Sequence, residues 1–208
     1  MKLLFIGDSI TDMCRNREGA NPYCFGNGYV FLLEAALAKK YPGKFTVINR
    51  GISGNRIVDV YQRIKVDCWN LEPDVITILI GANDVWHEIS RANGVEPDRF
   101  ERFYDMLIED TKKVLPNVKI VVMGAFLLHG TVTEEQHPEF SRIKRYAQIA
   151  EAVAKRHGCV YVPLQPHFDA AAAAHTDQYY LFDGIHPTVA GAGVIAEQWL
   201  QSFEANIL

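Results

Sequence analysis

At 208 residues the chain has the length of one ordinary domain, able to bury about 70% of the surface its unfolded form exposes without disulfide staples. Its 21 Lys and Arg against 25 Asp and Glu give a formal charge of −4 with no long basic run, which removes the electrostatic footprint of a nucleic-acid binder. No segment approaches the ~20 apolar residues of a membrane span, and the short run Leu3 to Gly7 is far below the ~7–15-residue apolar core of an export signal, so the expected setting is cytoplasmic.

The first apolar run, residues 2–7, predicts a buried strand, and a loop over 11–28 leads to a helix over 29–41 with Val30, Leu33 and Leu37 on one face. A strand over 45–50 and a helix over 56–68 follow, the helix turning Ile57, Val60, Tyr61 and Ile64 inward. Next come a strand over 74–80, a loop over 82–96 and a helix over 98–115 carrying Phe100, Phe103, Leu107 and Val114. A strand over 118–125 leads through a loop over 127–138 to a helix over 139–157 with Phe140, Ile143, Ala147, Ala150 and Val153. The last strand is expected over 159–163, then a helical Ala170 to Ala174 run, a loop over 175–187 and a closing helix over about 188–204 with Ile195, Trp199 and Phe203. Strict alternation of strand and helix predicts an α/β fold: one domain, 1–208, with a doubly wound, five-stranded parallel sheet and helices on both faces.

Ligands of open parallel sheets bind outside the carboxyl ends of the strands, so the loops at that edge carry the functional reading. "FIGDSITD", residues 5–12, sets Ser9 there, in a Gly-Asp-Ser stretch that alone would be only a strand-ending turn. "NRGISGNRI", 49–57, brings Gly54, whose missing side chain leaves a backbone N–H open to an oxyanion. "IGANDVW", 80–86, puts the amide of Asn83 in the loop after the third strand. "FDGIHP", 182–187, spaces Asp183 and His186 so that one turn brings a carboxylate to its own segment's imidazole, leaving the second ring nitrogen as a base. Together these provide a hydroxyl nucleophile, a base with its orienting acid, and oxyanion donors.

In the same order, "GDSIT", "GISGN", "GAND" and "DGIHP" resemble the four sequence blocks of the SGNH or GDSL hydrolases, from residue 7 to residue 187. The resemblance implies a flavodoxin-like three-layer α/β/α sandwich and assigns Ser9 as nucleophile, His186 as base and Asp183 as its orienting acid. The oxyanion hole it implies comprises the N–H groups of Ser9 and Gly54 and the side-chain amide of Asn83. No metal or other cofactor is implied, and the GxSxG elbow of other esterases is missing from this chain, as it is from that family. Asp8 has no proton-transfer role in such a scheme and is expected to brace the turn, with contact to substrate as its other assignment.

"LLFIGDSITD", "GNGYV" and "NDVW" are similar to the branch with intracellular acetylxylan esterases, which implies a small acetylated carbohydrate as substrate and a homo-oligomer whose interface no stretch identifies. Tyr23, Phe25, Trp86, Tyr179, Tyr180 and Phe182 lie near the four blocks, and Trp86, Tyr180 and Phe182 are the expected sugar contacts. Rival readings are a lysophospholipase or thioesterase for longer acyl chains, a metallophosphoesterase built on Asp8, Asp12, Asn83 and Asp84, and a non-catalytic carbohydrate-binding protein. The metal reading lacks an Asp-x-His near the first strand, and the binding reading would have lost a catalytic residue type that is intact here. Cys14, Cys24, Cys68 and Cys159 have no C-x-x-C spacing and are expected as thiols, although Cys14 and Cys24 share a loop.

Overall fold

The apolar run at residues 2–7 becomes an interior strand of a sheet, paired on both sides. In the computed structural model, which describes residues 1–18, 23–133 and 138–208, β1 (Lys2–Gly7) lies between β2 (Thr46–Gly51) and β3 (Val75–Leu79). Beyond β3 follow β4 (Lys119–Met123) and β5 (Val160–Val162), all parallel, in the order β2-β1-β3-β4-β5. The register aligns Gly7 with Gly51 on one side and with Leu79 on the other, so β2 and β3 end level with β1. From β1 the chain runs to β2 on one side and then crosses to β3 on the other; with right-handed crossovers, this reversal puts successive helices on opposite faces and opens a crevice at the β1/β3 edge.

One face is covered by α2 (Tyr29–Lys40) packed on α9 (Val189–Asn206), where Trp199 stacks on Phe203 and its Nε1–H reaches Thr77 Oγ1 of β3 at 2.8 Å. The other carries α3 (Ile57–Asp67), α5 (Pro97–Val114) and α6 (Ile143–Arg156), packed in series. Val30, Leu33, Leu37, Ile57, Val60, Ile64, Phe100, Leu107, Ile143, Ile195, Trp199 and Phe203 are all buried, in agreement with the apolar spacing of their helices. Val114 is not: it is 50% exposed in the last turn of α5, where Leu115 packs inward instead. An 18-residue helix rises about 27 Å against about 17 Å for a five-residue strand, so the end of α5 outruns the sheet.

Three stretches expected as loop contain helix. Ser9–Asp12 forms the single turn α1, Asp177–Tyr180 forms α8, and the segment expected as a loop over 82–96 holds α4 (Ala82–Arg91). Ala82, Val85, Trp86 and Ile89 follow the i, i+3, i+4, i+7 spacing of an amphipathic helix, a pattern that the turn-like "GAND" hides. The alanine run belongs to the longer α7 (Gln165–Ala174), and a 3₁₀ turn, Pro138–Arg142, precedes α6. Parts of the predicted loops 11–28 and 127–138 lie outside the described residues.

Candidate active site

Asp8 caps α1: its Oδ1 accepts the Ile10 N–H at 3.0 Å, in the way short polar side chains start helices. The side chain is buried beneath Ser9, so the expected contact of Asp8 with substrate is corrected to a bracing one. Burial raises its carboxyl to about 6, with the Ile10 N–H and the nearby His186 holding it from rising further. Ser9 opens α1, and its N–H, one of the donors a helix start leaves over, takes no partner among the described residues.

The loop after β2 is pressed against α1. A Cβ on Gly51 would lie 2.2 Å from Asp12 N, so only glycine permits this approach. Asp12, also buried, accepts the Ser53 N–H at 2.9 Å and the Arg17 guanidinium at 3.1 Å. Asn55 N–H then donates to Ile52 O at 3.2 Å, closing a turn with Gly54 at φ 83°, the position a type II turn reserves for glycine. Open space surrounds the missing Gly54 Cβ, and its N–H has no partner among the described residues.

Adjacent residues of α4 hold this turn. Asn83 Nδ2 donates one N–H to Asn55 O at 3.1 Å and keeps its second for the cleft. Asp84 Oδ1 accepts the Ile57 N–H at 3.0 Å; burial raises its carboxyl to about 8 against that bond, and Asp8 adds to the rise. The amide expected in a loop thus stands in the first turn of a helix.

Leu181 to Pro187 folds back as a tight turn, with Phe182 N–H on His186 O at 3.1 Å. Asp183 Oδ2 lies 2.7 Å from His186 Nδ1, and Asp183 Oδ1 accepts the N–H groups of Ile185 at 2.9 Å and His186 at 2.7 Å. His186 Nε2 is 2.9 Å from Ser9 Oγ. The imidazole lies between the stacked ring of Phe182, 5.7 Å away, and the tilted ring of Trp86, 5.6 Å away. Its pKa is raised above the usual 6.5 by the hydrogen bond to Asp183, against the opposing effect of burial. For Asp183 itself burial acts upward, but hydrogen bonds from the His186 side chain and from two backbone N–H groups outweigh it and hold the carboxyl below its usual value.

Two clefts meet at Ser9 and His186. One, of about 230 Å³, is lined by Ser53, Gly54, Asn83, Trp86, His87 and Ser90. The other, of about 450 Å³ and largely apolar, is walled by Met13, Cys14 and Phe182. Tyr180 lines neither: it packs against the core, and its carbonyl accepts the Thr188 N–H at 2.9 Å, because its place on α8 faces α9 rather than the crevice. Phe25 is buried, while Tyr23 and Tyr179 are exposed outside both clefts. No three His, Cys, Asp or Glu side chains converge as a metal-holding group among the described residues. Asp12 and Asp84 enter the site's frame without having been singled out as braces, since the only trace in the sequence is an acid beside each block.

Residues 5–194 match the model of the GDSL-like lipase/acylhydrolase family. The chain belongs to that family. This GDSL hydrolase is 32% identical to an acetylxylan esterase from Geobacillus stearothermophilus over 96% of its own length and 92% of the relative's. A crystal structure of that esterase, Axe2, superposes with a TM-score of 0.86, covering 97% of this chain and 93% of the other at 32% identity. LAE5, an α/β hydrolase from the metagenome of Lake Arreo, gives 0.88 at 32% identity over 98% and 94% of the two chains. As a member of this family the protein is a carboxylic ester hydrolase.

Proposed function

We propose that this hydrolase removes acetyl groups from carbohydrates such as xylo-oligosaccharides through an acyl-serine intermediate. The observation that carries the reading is the unbroken line from Ser9 Oγ to His186 Nε2 at 2.9 Å and from His186 Nδ1 to Asp183 at 2.7 Å. A serine hydroxyl is too weak an acid to attack an ester at neutral pH, so His186 takes its proton as the Oγ–C bond forms. The carbonyl oxygen becomes an oxyanion facing the N–H groups of Ser9 and Gly54 and the free amide hydrogen of Asn83. His186 returns the proton to the departing sugar oxygen; water, activated by the same imidazole, then attacks the acyl-serine and releases acetate and free Ser9.

The acetyl methyl lies in the smaller cleft against Trp86, which the sequence reading expected on the sugar, and the sugar rests on the larger face, where Phe182 offers a half-exposed ring to its C–H surface. The likeness to an acetylxylan esterase over nearly the whole chain supports this substrate class. A second reading, hydrolysis of longer acyl esters, is favoured by the apolar wall of Met13, Cys14 and Phe182. Treatment with a fluorophosphonate followed by peptide mass spectrometry tests the mechanism: the adduct is expected on Ser9, and Ser9→Ala should lose nearly all esterase activity while keeping its melting temperature. An adduct on any other residue overturns the nucleophile assignment.

A further inference from the structure

The proposed oxyanion donors come from separate segments. Ser9 follows β1 and Gly54 follows β2, and the ladder between those strands ends at Gly7 and Gly51. Past that point one backbone bond joins them among the described residues, Ile52 N–H to Gly7 O at 3.0 Å. Side chains add the rest: Asp12 accepts the Ser53 N–H at 2.9 Å, Arg15 Nε donates to Gly51 O and Asn49 Nδ2 to Thr11 O, and the side chain of Arg63, on the second turn of α3, reaches both segments at once. Its Nη2 donates to Gly7 O at 3.1 Å, two residues before Ser9, and its Nε to Asn55 Oδ1 at 2.7 Å, directly after Gly54. Nη1 donates to Arg50 O and to Asp67 Oδ2, each at 2.8 Å.

We infer that Arg63 is a positioning residue for ester hydrolysis, a planar brace that sets the spacing between the Ser9 and Gly54 N–H groups. The inference rests on the serine-esterase reading above. A guanidinium has five N–H donors in one rigid plane, and here three of them span both segments while a fourth holds Asp67 on α3; the ammonium of a lysine sends its three donors from a single point and cannot reach the same set. Asp67 offsets the charge of the partly buried side chain, so the bonds to Gly7 and Asn55 are not needed for neutralisation. Their effect is geometric. Because oxyanion donors act on the transition state and a misplacement of about 1 Å can cost about 10²-fold, loosening the brace lowers turnover more than it weakens substrate binding.

Arg63→Lys and Arg63→Ala, assayed on phenyl acetate, are expected to lose about 10- to 100-fold in kcat with KM nearly unchanged. Affinity for a trifluoromethyl ketone, which forms a tetrahedral adduct on serine, should fall in parallel with kcat. Millimolar guanidinium should restore part of the kcat of Arg63→Ala and leave Arg63→Lys, whose side chain still fills the space, largely unchanged. A brace important only for stability would lower the melting temperature and leave these three readouts where they are in the folded fraction. Wild-type kcat in a folded Arg63→Lys, or a loss confined to KM, overturns the inference. Fluorophosphonate labelling separates its failure from that of the parent reading: an adduct on Ser9 with unaltered kcat in the variant rejects the brace alone, and an adduct elsewhere rejects both.

Discussion

His186 has to be neutral to accept the Ser9 proton, yet Asp183 favours its charged form and raises its pKa above the usual 6.5. Activity is therefore expected to rise with pH through a midpoint above 6.5, the acid limb following loss of the imidazole proton. Asp183→Asn removes the carboxylate, so the midpoint should move to lower pH while the rate falls by about 10³–10⁴, as the ring loses its orientation and its counter-charge. A pH profile of kcat/KM for both proteins checks this; an unmoved midpoint would separate the titrating group from His186. Asn83→Ala, which deletes the free amide hydrogen aimed at the cleft, should cost about 10²–10³ in kcat with little change in KM. The four residues behind these expectations stood out in the sequence because their chemistry is narrow: few side chains serve as nucleophile, base or oxyanion donor. Asp12 and Arg63 were not, since carboxylates and guanidiniums occur everywhere and only the fold decides whether one meets a Ser53 N–H or a Gly7 carbonyl.

At the scale of elements, α4 does what a loop could not. Its first turn holds Asn83 and Asp84 rigidly enough to grip Asn55 O and Ile57 N–H, so the helix locates the β2–α3 turn that carries Gly54. Sequence reading placed Asn83 at the correct edge but in the wrong kind of segment, because Gly-Ala-Asn-Asp has turn composition while the apolar period that reveals the helix starts inside it. The grip has a pH-dependent cost. Asp84 titrates at about 8 in the fold against an ordinary 3.8, so its neutral form is the one the interior stabilises. That stabilisation is fully present below about pH 3.8 and is lost as pH rises through about 8. Asp84→Asn keeps an acceptor for Ile57 N–H and removes the titration. Its stability relative to wild type should grow from pH 5 to pH 8 and level off above, in urea unfolding at each pH. A constant difference across that range would show that Asp84 is not the buried titrating group.

For the molecule as a whole, the order of strands decides which chemistry can meet. Reversal of the chain at β1 lets the loops after β1, β2 and β3 share one rim, and the Leu181–Pro187 turn, tied to the loop after β4 by Leu128 N–H on Gly184 O at 2.9 Å, brings the base down onto it. The alternation of strands and helices made that architecture readable, whereas the two clefts were not, since their walls join residues as distant as Met13 and Phe182. Acyl length tests which cleft takes which half of the ester. In the smaller one the acyl chain would grow over Ser90, His87 and Arg91, where a methylene displaces water from polar groups and gains little of the ~0.8 kcal/mol available in an apolar site. Hydrolysis should then be fastest for acetyl esters and fall steeply through butyryl to octanoyl at equal leaving group. An acyl chain in the larger cleft would meet Met13 and Phe182 instead, each methylene would gain free energy, and kcat/KM would climb with length. Phe182→Ala separates the cases further: with sugar on that face it should raise KM for acetylated xylo-oligosaccharide more than for phenyl acetate, whereas with an acyl chain there it should flatten the length series. A rate that rises toward octanoyl would reject the deacetylase reading and leave the Ser9–His186–Asp183 mechanism intact.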